Sequence, residues 1–344
     1  NESNSYYPAL DGLRGWMALG VVVAHVNLAW FPGAMIMMES FFVISGFLIT
    51  TIIWRFTEKT GEFNLVNFWK RRLMRLYPVL ILVIFCSVVA SIFIVDDMRP
   101  VFADALATLL YYSNWTKLYN YHYPTIFGQS WSLSIEEQFY LIWPLLFFLS
   151  FILNLGLKRT VLLLSSIGVI CMIWKYYLID QGVPWSRLYY ALDSRMDAFV
   201  FGGILAMVYP RIISLCLSGA GRFVLNASVV AYVILLTVST PREMSYFYWQ
   251  QSLSLLISAL LVLLLVIPSK GIAQRVFSSK FSVFLGQRCY SIYLWHWPLI
   301  WLLMIKYSPG KFELLAIVIP VVLILSSLSY RFVELPFMSR RRGI

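Results

Sequence analysis

The chain has 344 residues, 60% of them hydrophobic, 17% aromatic and only 12% charged, with a net charge of +11. That make-up excludes an ordinary soluble globular domain. The basic residues lie between apolar runs, where the positive-inside rule accounts for them, so the charge does not call for nucleic acid.

Ten apolar runs read as spanning helices, at 11–30, 35–54, 77–95, 131–153, 160–179, 195–209, 223–239, 249–267, 283–305 and 313–333. The expected fold is an all-α polytopic membrane protein, one membrane domain over 1–344. Arg55, Lys59, the Lys70–Arg75 stretch, Lys158, Arg159, Lys270, Arg275, Arg341 and Arg342 fall on one side of these runs. Fewer cations, among them Arg99, Lys117, Arg187 and Arg242, fall on the other. The imbalance puts both termini in the cytoplasm. The first apolar run is too long for a cleavable signal peptide and flows into further spans. Cys86, Cys171, Cys216 and Cys289 show no paired spacing and read as small buried hydrophobes; no metal site is called for.

The first span carries Arg14 and His25, unusual groups in an apolar helix. Eleven steps of about 100° bring them to the same face, roughly 16 Å apart along the axis. A neutral imidazole there can take a proton from a hydroxyl, and a histidine that merely packs helices fits equally well. The cytoplasmic connection 55–76 holds Arg71, Arg72 and Arg75 within about one turn. Clustered guanidinium groups suit phosphates, and they also suit topology control or anionic lipid. The long outer connection 96–130 carries Tyr111, Tyr112, Trp115, Tyr119, Tyr121, His122 and Tyr123, rings that fit an interfacial belt or a sugar platform.

Further along, Glu136 and Glu137 begin the fourth span and point about 100° apart, so one can face the bundle. Acids early in a helix also simply favour its N-terminal end. Asp193, Arg195 and Asp197 read as an ion network at the outer start of the sixth span. His296, between Trp295 and Trp297, reads as an interfacial hydrogen-bonding residue or a catalyst.

Taken together in order, these stretches resemble the acyltransferase 3 family of integral membrane acyltransferases, over nearly the whole chain. Tyr7–Gly15 (YPALDGLRG), with Arg14 and His25 as an Arg-x10-His pair, is similar to the family's opening signature. Phe41–Leu48 (FFVISGFL), Arg71–Pro78 (RRLMRLYP), Trp131–Tyr140 (WSLSIEEQFY), Tyr290–Leu299 (YSIYLWHWPL) and Glu334–Pro336 match further motifs. One departure is Met37-Met38-Glu39, where relatives often have Gly-Val-Asp.

The resemblance implies an enzyme that moves an acyl group, usually acetyl from acetyl-coenzyme A, onto a hydroxyl. It makes His25 the expected catalytic residue, with Arg14 and Glu136 as its functional neighbours. Arg71, Arg72 and Arg75 become the expected contacts for the coenzyme phosphates, entering from the cytoplasm. Ser45 and Gly46, or Arg14, are expected to meet the developing oxyanion. Glu136 is expected to orient the histidine or bind the acceptor. Glu39, Trp131, Asp193, Arg195 and His296 are weaker candidates for the acceptor. Direct transfer with His25 as base and a relay through an acyl-histidine both fit.

The expected acceptor is an envelope polysaccharide or glycolipid, O-antigen first, then peptidoglycan or another exported glycan, then a small molecule or lipid. The expected setting is the bacterial inner membrane, with the lipid bilayer as partner and the oligomeric state unassigned. The rival class is a proton-coupled transporter, which buried Arg, His and Glu would also suit. A coenzyme-sized path from the basic stretch to His25 would separate the two.

Overall fold

The computed structural model describes residues 6–62, 64–119, 126–240, 242–267 and 271–340. Tyr121, His122, Tyr123, Lys270, Arg341 and Arg342 lie outside the described residues. Helix makes up 86% of the structure, with no strand among the described residues. The chain is an all-α integral membrane protein.

The long helices are α1 (Pro8–Val26), α2 (Ala34–Thr60), α3 (Leu65–Ile92), α4 (Trp131–Ile152), α5 (Gly156–Asp180), α6 (Met196–Leu217), α7 (Gly219–Val238), α8 (Gln251–Val266), α9 (Cys289–Tyr307) and α10 (Lys311–Ser329). Among the described residues, nine helices are long and apolar enough to cross a membrane. The tenth expected span, 283–305, is broken instead. A short helix, Lys280–Gln287, ends at Arg288 and α9 begins at Cys289. The tryptophans, tyrosines and His296 of α9 keep its hydropathy below that of the other long helices, because most of them face the bundle rather than lipid. Lipid-facing positions elsewhere are plain hydrocarbon and rings, such as Phe85, Phe93, Phe223, Ile234 and Ile324.

Helix ends follow local chemistry. Pro8 opens α1, where its missing N–H costs nothing, and Asp11 sits in the first turn. Gly61 closes α2 at φ +66°, a left-handed conformation that suits glycine. The Asn64 side chain then accepts from the Asn67 N–H at 2.9 Å and starts α3. The basic connection expected over 55–76 is therefore mostly helix, with Arg71, Arg72 and Arg75 on the first turns of a long α3. The departure at Met37-Met38-Glu39 makes no turn; it lies within the first turns of α2.

The core is set by α2 against α6. A Cβ placed on Gly46 would lie 2.0 Å from the Phe199 carbonyl oxygen, and one on Gly202 1.9 Å from the Val43 carbonyl oxygen. Both helices approach backbone to backbone, as small residues allow in membranes. Gly46→Ala is therefore expected to cost about 1–3 kcal/mol by forcing the helices apart. Thermal unfolding in detergent measures it; an unchanged midpoint would contradict this packing.

Candidate functional site

α1 runs from the end of the bundle that carries Arg71 and Arg75 toward the far end. His25 lies in its last turn, partly open, and His296 of α9 is buried behind it. Their nitrogens, His25 Nδ1 and His296 Nε2, are 2.8 Å apart. His296 Nδ1 stands 2.7 Å from the Tyr293 carbonyl oxygen. A carbonyl only accepts, so that contact assigns the proton of a neutral His296 to Nδ1. Its Nε2 must then accept from His25 Nδ1–H, which leaves the lone pair of His25 on Nε2. Trp297 stands edge-on to the His25 ring at 4.9 Å and fixes its plane from the other side. A base whose ring is oriented by a second group is the arrangement that general-base and nucleophilic catalysis both use.

Three cavities lie in series through the bundle. The first, about 140 Å³, is lined by Arg71, Arg72 and Arg75 with Asn64, Asn67 and apolar side chains of α2. The second, about 50 Å³, is lined by Arg14, Glu136, Ser132, Cys289, Tyr290 and Tyr293 with Met38 and Phe41. The third, about 280 Å³, holds His25. Met38 and Tyr293 line both the second and the third and form the partition between them. Between the first and second, Arg72 gives two hydrogen bonds to Glu137 Oε1, at 3.2 and 3.0 Å, and lies over the Tyr140 ring at 3.1 Å. Arg75 is within electrostatic reach of Arg14.

The third cavity has aromatic walls. Trp131 packs on Tyr189 and Tyr190 at ring distances of 4.6 and 5.1 Å, and Trp185 stacks on Tyr189 at 4.3 Å. Lys117 and Arg242 also line it. Lys117 belongs to a short helix outside the spans, Ser113–Tyr119. Burial lowers its ammonium to about 8, with Asp104 opposing and Arg242 reinforcing the shift.

This train of motifs has a counterpart among known proteins. The acyltransferase 3 family, described as an acyltransferase domain, matches residues 7–331. The chain belongs to this family. It is 32% identical to the peptidoglycan O-acetyltransferase OatA of Listeria monocytogenes over 99% of its own length and 57% of that relative's. It is 30% identical to the O-acetyltransferase OatA of Staphylococcus aureus, over 99% of this chain and 58% of the relative. The chain thus spans a little over half the length of the curated relatives it matches. No solved structure matches it.

Within this acyltransferase 3 fold, the expected site residues separate into groups. His25, Arg14, Glu136, Trp131 and the Arg71, Arg72 and Arg75 cluster all line the three cavities. Arg14 and His25 share a face of α1, yet they line different cavities. Arg14 is therefore not seated for an oxyanion beside His25; it pairs with Asp11 at 3.4 Å and faces Glu136. Glu136 is not the orienting group of His25 either. It accepts from Ser45 Oγ at 3.0 Å, and His296 does the orienting.

Other expected residues have packing or pairing partners in the structure. Gly46 is a packing position against α6, its N–H inside a continuous helix. Ser45 Oγ donates to Glu136 Oε1. Glu39 and Arg195 are fully buried and pair with each other, with Tyr246 giving Glu39 a further hydrogen bond of 2.8 Å, so they tie helices together. Asp193 binds Arg187 Nη1 and Trp174 Nε1, each at 2.8 Å. Burial pushes the Asp193 carboxyl up, but the hydrogen bonds from Arg187 and Trp174 prevail and hold it below the usual value. It belongs to an ion network, as one reading of its cluster expected. Among the described residues, the rings of the 96–130 connection (Tyr111, Tyr112, Trp115 and Tyr119) do not line the third cavity; Trp131, Trp185, Tyr189, Tyr190 and Trp297 do.

Lys117 and Arg242 were missed by sequence reasoning. The signal was present: both are cations on the far side, where topology does not ask for them.

Proposed function

We propose that the chain takes an acetyl group from acetyl-coenzyme A on the cytoplasmic side and transfers it to a hydroxyl of a cell-wall glycan on the outer side. The observation that carries this reading is the series of cavities from a basic entrance, past Arg14 and Glu136, to His25. With the N-terminus in the cytoplasm of a bacterial inner membrane, Arg71 and Arg75 face the cytosol. Neither makes an ion pair among the described residues, and Arg71 Nε is buried without a hydrogen bond. Both fit the phosphates of a coenzyme. Arg72 holds Glu137 and serves as the wall of that entrance. An extended pantetheine arm anchored near Arg75 and Arg14 reaches along α1, and the separation of Arg14 from His25 is about 16 Å.

At the far end, His25 Nε2 takes the proton of the acceptor hydroxyl. The hydroxyl oxygen attacks the thioester carbonyl, the C–S bond breaks, and the proton passes on to the departing thiolate. In the relay form, Nε2 attacks the thioester carbonyl and the coenzyme leaves as its thiolate; the acceptor hydroxyl later attacks the acyl carbon, the C–N bond breaks to return the imidazole, and the hydroxyl proton neutralises the thiolate. His296 accepts from Nδ1–H throughout. A peptidoglycan-like acceptor is preferred here to O-antigen because the Listeria relative is named for peptidoglycan. Family membership favours acyl transfer over proton-coupled transport.

Purified protein given radiolabelled acetyl-coenzyme A and cell-wall glycan should release coenzyme A and label the glycan as base-labile ester. No thioester turnover with any glycan would overturn the reading. Arg75→Gln should raise KM for acetyl-coenzyme A about tenfold, the order expected for losing a charged phosphate contact, with kcat nearly unchanged. A fall in kcat alone would place Arg75 elsewhere in the reaction.

A further inference from the structure

We infer that the third cavity selects an anionic sugar: its aromatic wall takes the sugar ring, and Lys117 with Arg242 take a carboxylate or phosphate carried beside the hydroxyl presented to His25. This rests on the reading that His25 faces the acceptor.

The cavity is large enough for a sugar, at about 280 Å³, and its walls are the flat rings of Trp131, Trp185, Tyr189 and Tyr190. Flat rings offer apolar faces to a pyranose but do not distinguish one sugar from another. The charges do. Lys117 Nζ sits 5.0 Å above the Tyr190 ring, and neither it nor Arg242 forms an ion pair among the described residues. The nearby acids are occupied otherwise. Asp104 accepts the Phe127 N–H at 2.8 Å, and Glu243 accepts from Ser245 Oγ at 3.0 Å. Both cations lie within electrostatic reach of His25.

Arg242 is also held at φ +66°, a left-handed conformation uncommon for a side-chain-bearing residue. Strain of that kind persists where the surrounding structure enforces it, as at ligand clamps. A neutral sugar entering this cavity would strip water from two cations and give them nothing in return. An acidic one would satisfy both, so the site discriminates by penalty as well as by attraction.

The test uses the purified protein in detergent, without any acyl donor. Equilibrium dialysis compares radiolabelled N-acetylglucosamine, N-acetylmuramic acid and N-acetylglucosamine 1-phosphate, which are respectively neutral, a carboxylate and a phosphate. At least one acidic sugar should bind about tenfold or more tightly than the neutral one, the scale of a charge-assisted contact. Which one binds assigns the carboxylate or the phosphate. Lys117→Gln and Arg242→Gln should each collapse that ratio toward one, while Arg242→Lys should keep part of it.

Equal binding of neutral and acidic sugars by the native protein would overturn the inference. So would a preference that survives both glutamine substitutions, or inorganic phosphate binding as tightly as the sugar acids. Because no donor is present, a chain that binds acidic sugars but never turns over acetyl-coenzyme A would refute the proposed function and leave this site standing. One that acetylates neutral and acidic glycans alike would do the reverse.

Discussion

His25→Ala removes acyl transfer, with an expected loss of about 10³-fold or more in kcat, at the upper part of the range for a positioned base. Donor binding should survive, because the basic cavity lies at the other end of the bundle. The pairing with His296 makes a second, sharper expectation. His296→Leu leaves His25 Nδ1–H without its acceptor and frees the ring to turn. A loss of about 10²-fold in kcat follows, less than the roughly 10⁴-fold seen when a catalytic triad loses its orienting carboxylate, because a neutral imidazole orients the ring without stabilising a charge on it. His296→Gln presents an amide oxygen to the same N–H and should restore much of that loss, with KM for the donor unchanged throughout. A merely structural histidine would show no such rescue, and equal rates for the leucine and glutamine variants would contradict the assignment.

Arg195→Ala is expected to be the most damaging change for stability. Arg195 and Glu39 are both fully buried and far apart in sequence. Removing the guanidinium strands a carboxylate in the bundle with one hydroxyl, that of Tyr246, to bind it. The cost is about 3–5 kcal/mol. Converting both partners together, as Glu39→Leu with Arg195→Met, removes the stranded charge and should recover most of that loss. Thermal unfolding in detergent and the amount reaching the membrane report both variants. If the double change is no better than Arg195→Ala, the pair does more than hold α2 to α6.

The spans were legible because hydropathy marks them residue by residue, and each predicted run overlaps most of its length with one observed long helix. The break at Arg288 was not. It arises where the short helix before α9 crosses α1: a Cβ on Gly286 would lie 2.1 Å from the Asp11 carbonyl oxygen, a contact between distant segments. The proposed base, His25, could be singled out from its spacing to Arg14 and from the family motif. Its partner could not, since His25 and His296 are 271 positions apart and only packing of α9 on α1 joins them. The pairing of Glu39 with Arg195 was hidden for the same reason. A charged residue in an apolar run signals function or a buried pair, and only the fold shows that these two answer each other. Lys117 and Arg242, exceptions to the topology rule, both line the third cavity.

The central claim is that an acyl group enters at the basic end and leaves at the His25 end. The most direct measurement uses sealed proteoliposomes with the protein in one orientation. Radiolabelled acetyl-coenzyme A is supplied only on the side of Arg71 and Arg75, and glycan only on the other. Label should appear on the glycan, with coenzyme A released on the donor side, and both should vanish with His25→Ala. Label on glycan only when donor and acceptor share one side, or transfer that persists without His25, would contradict the account.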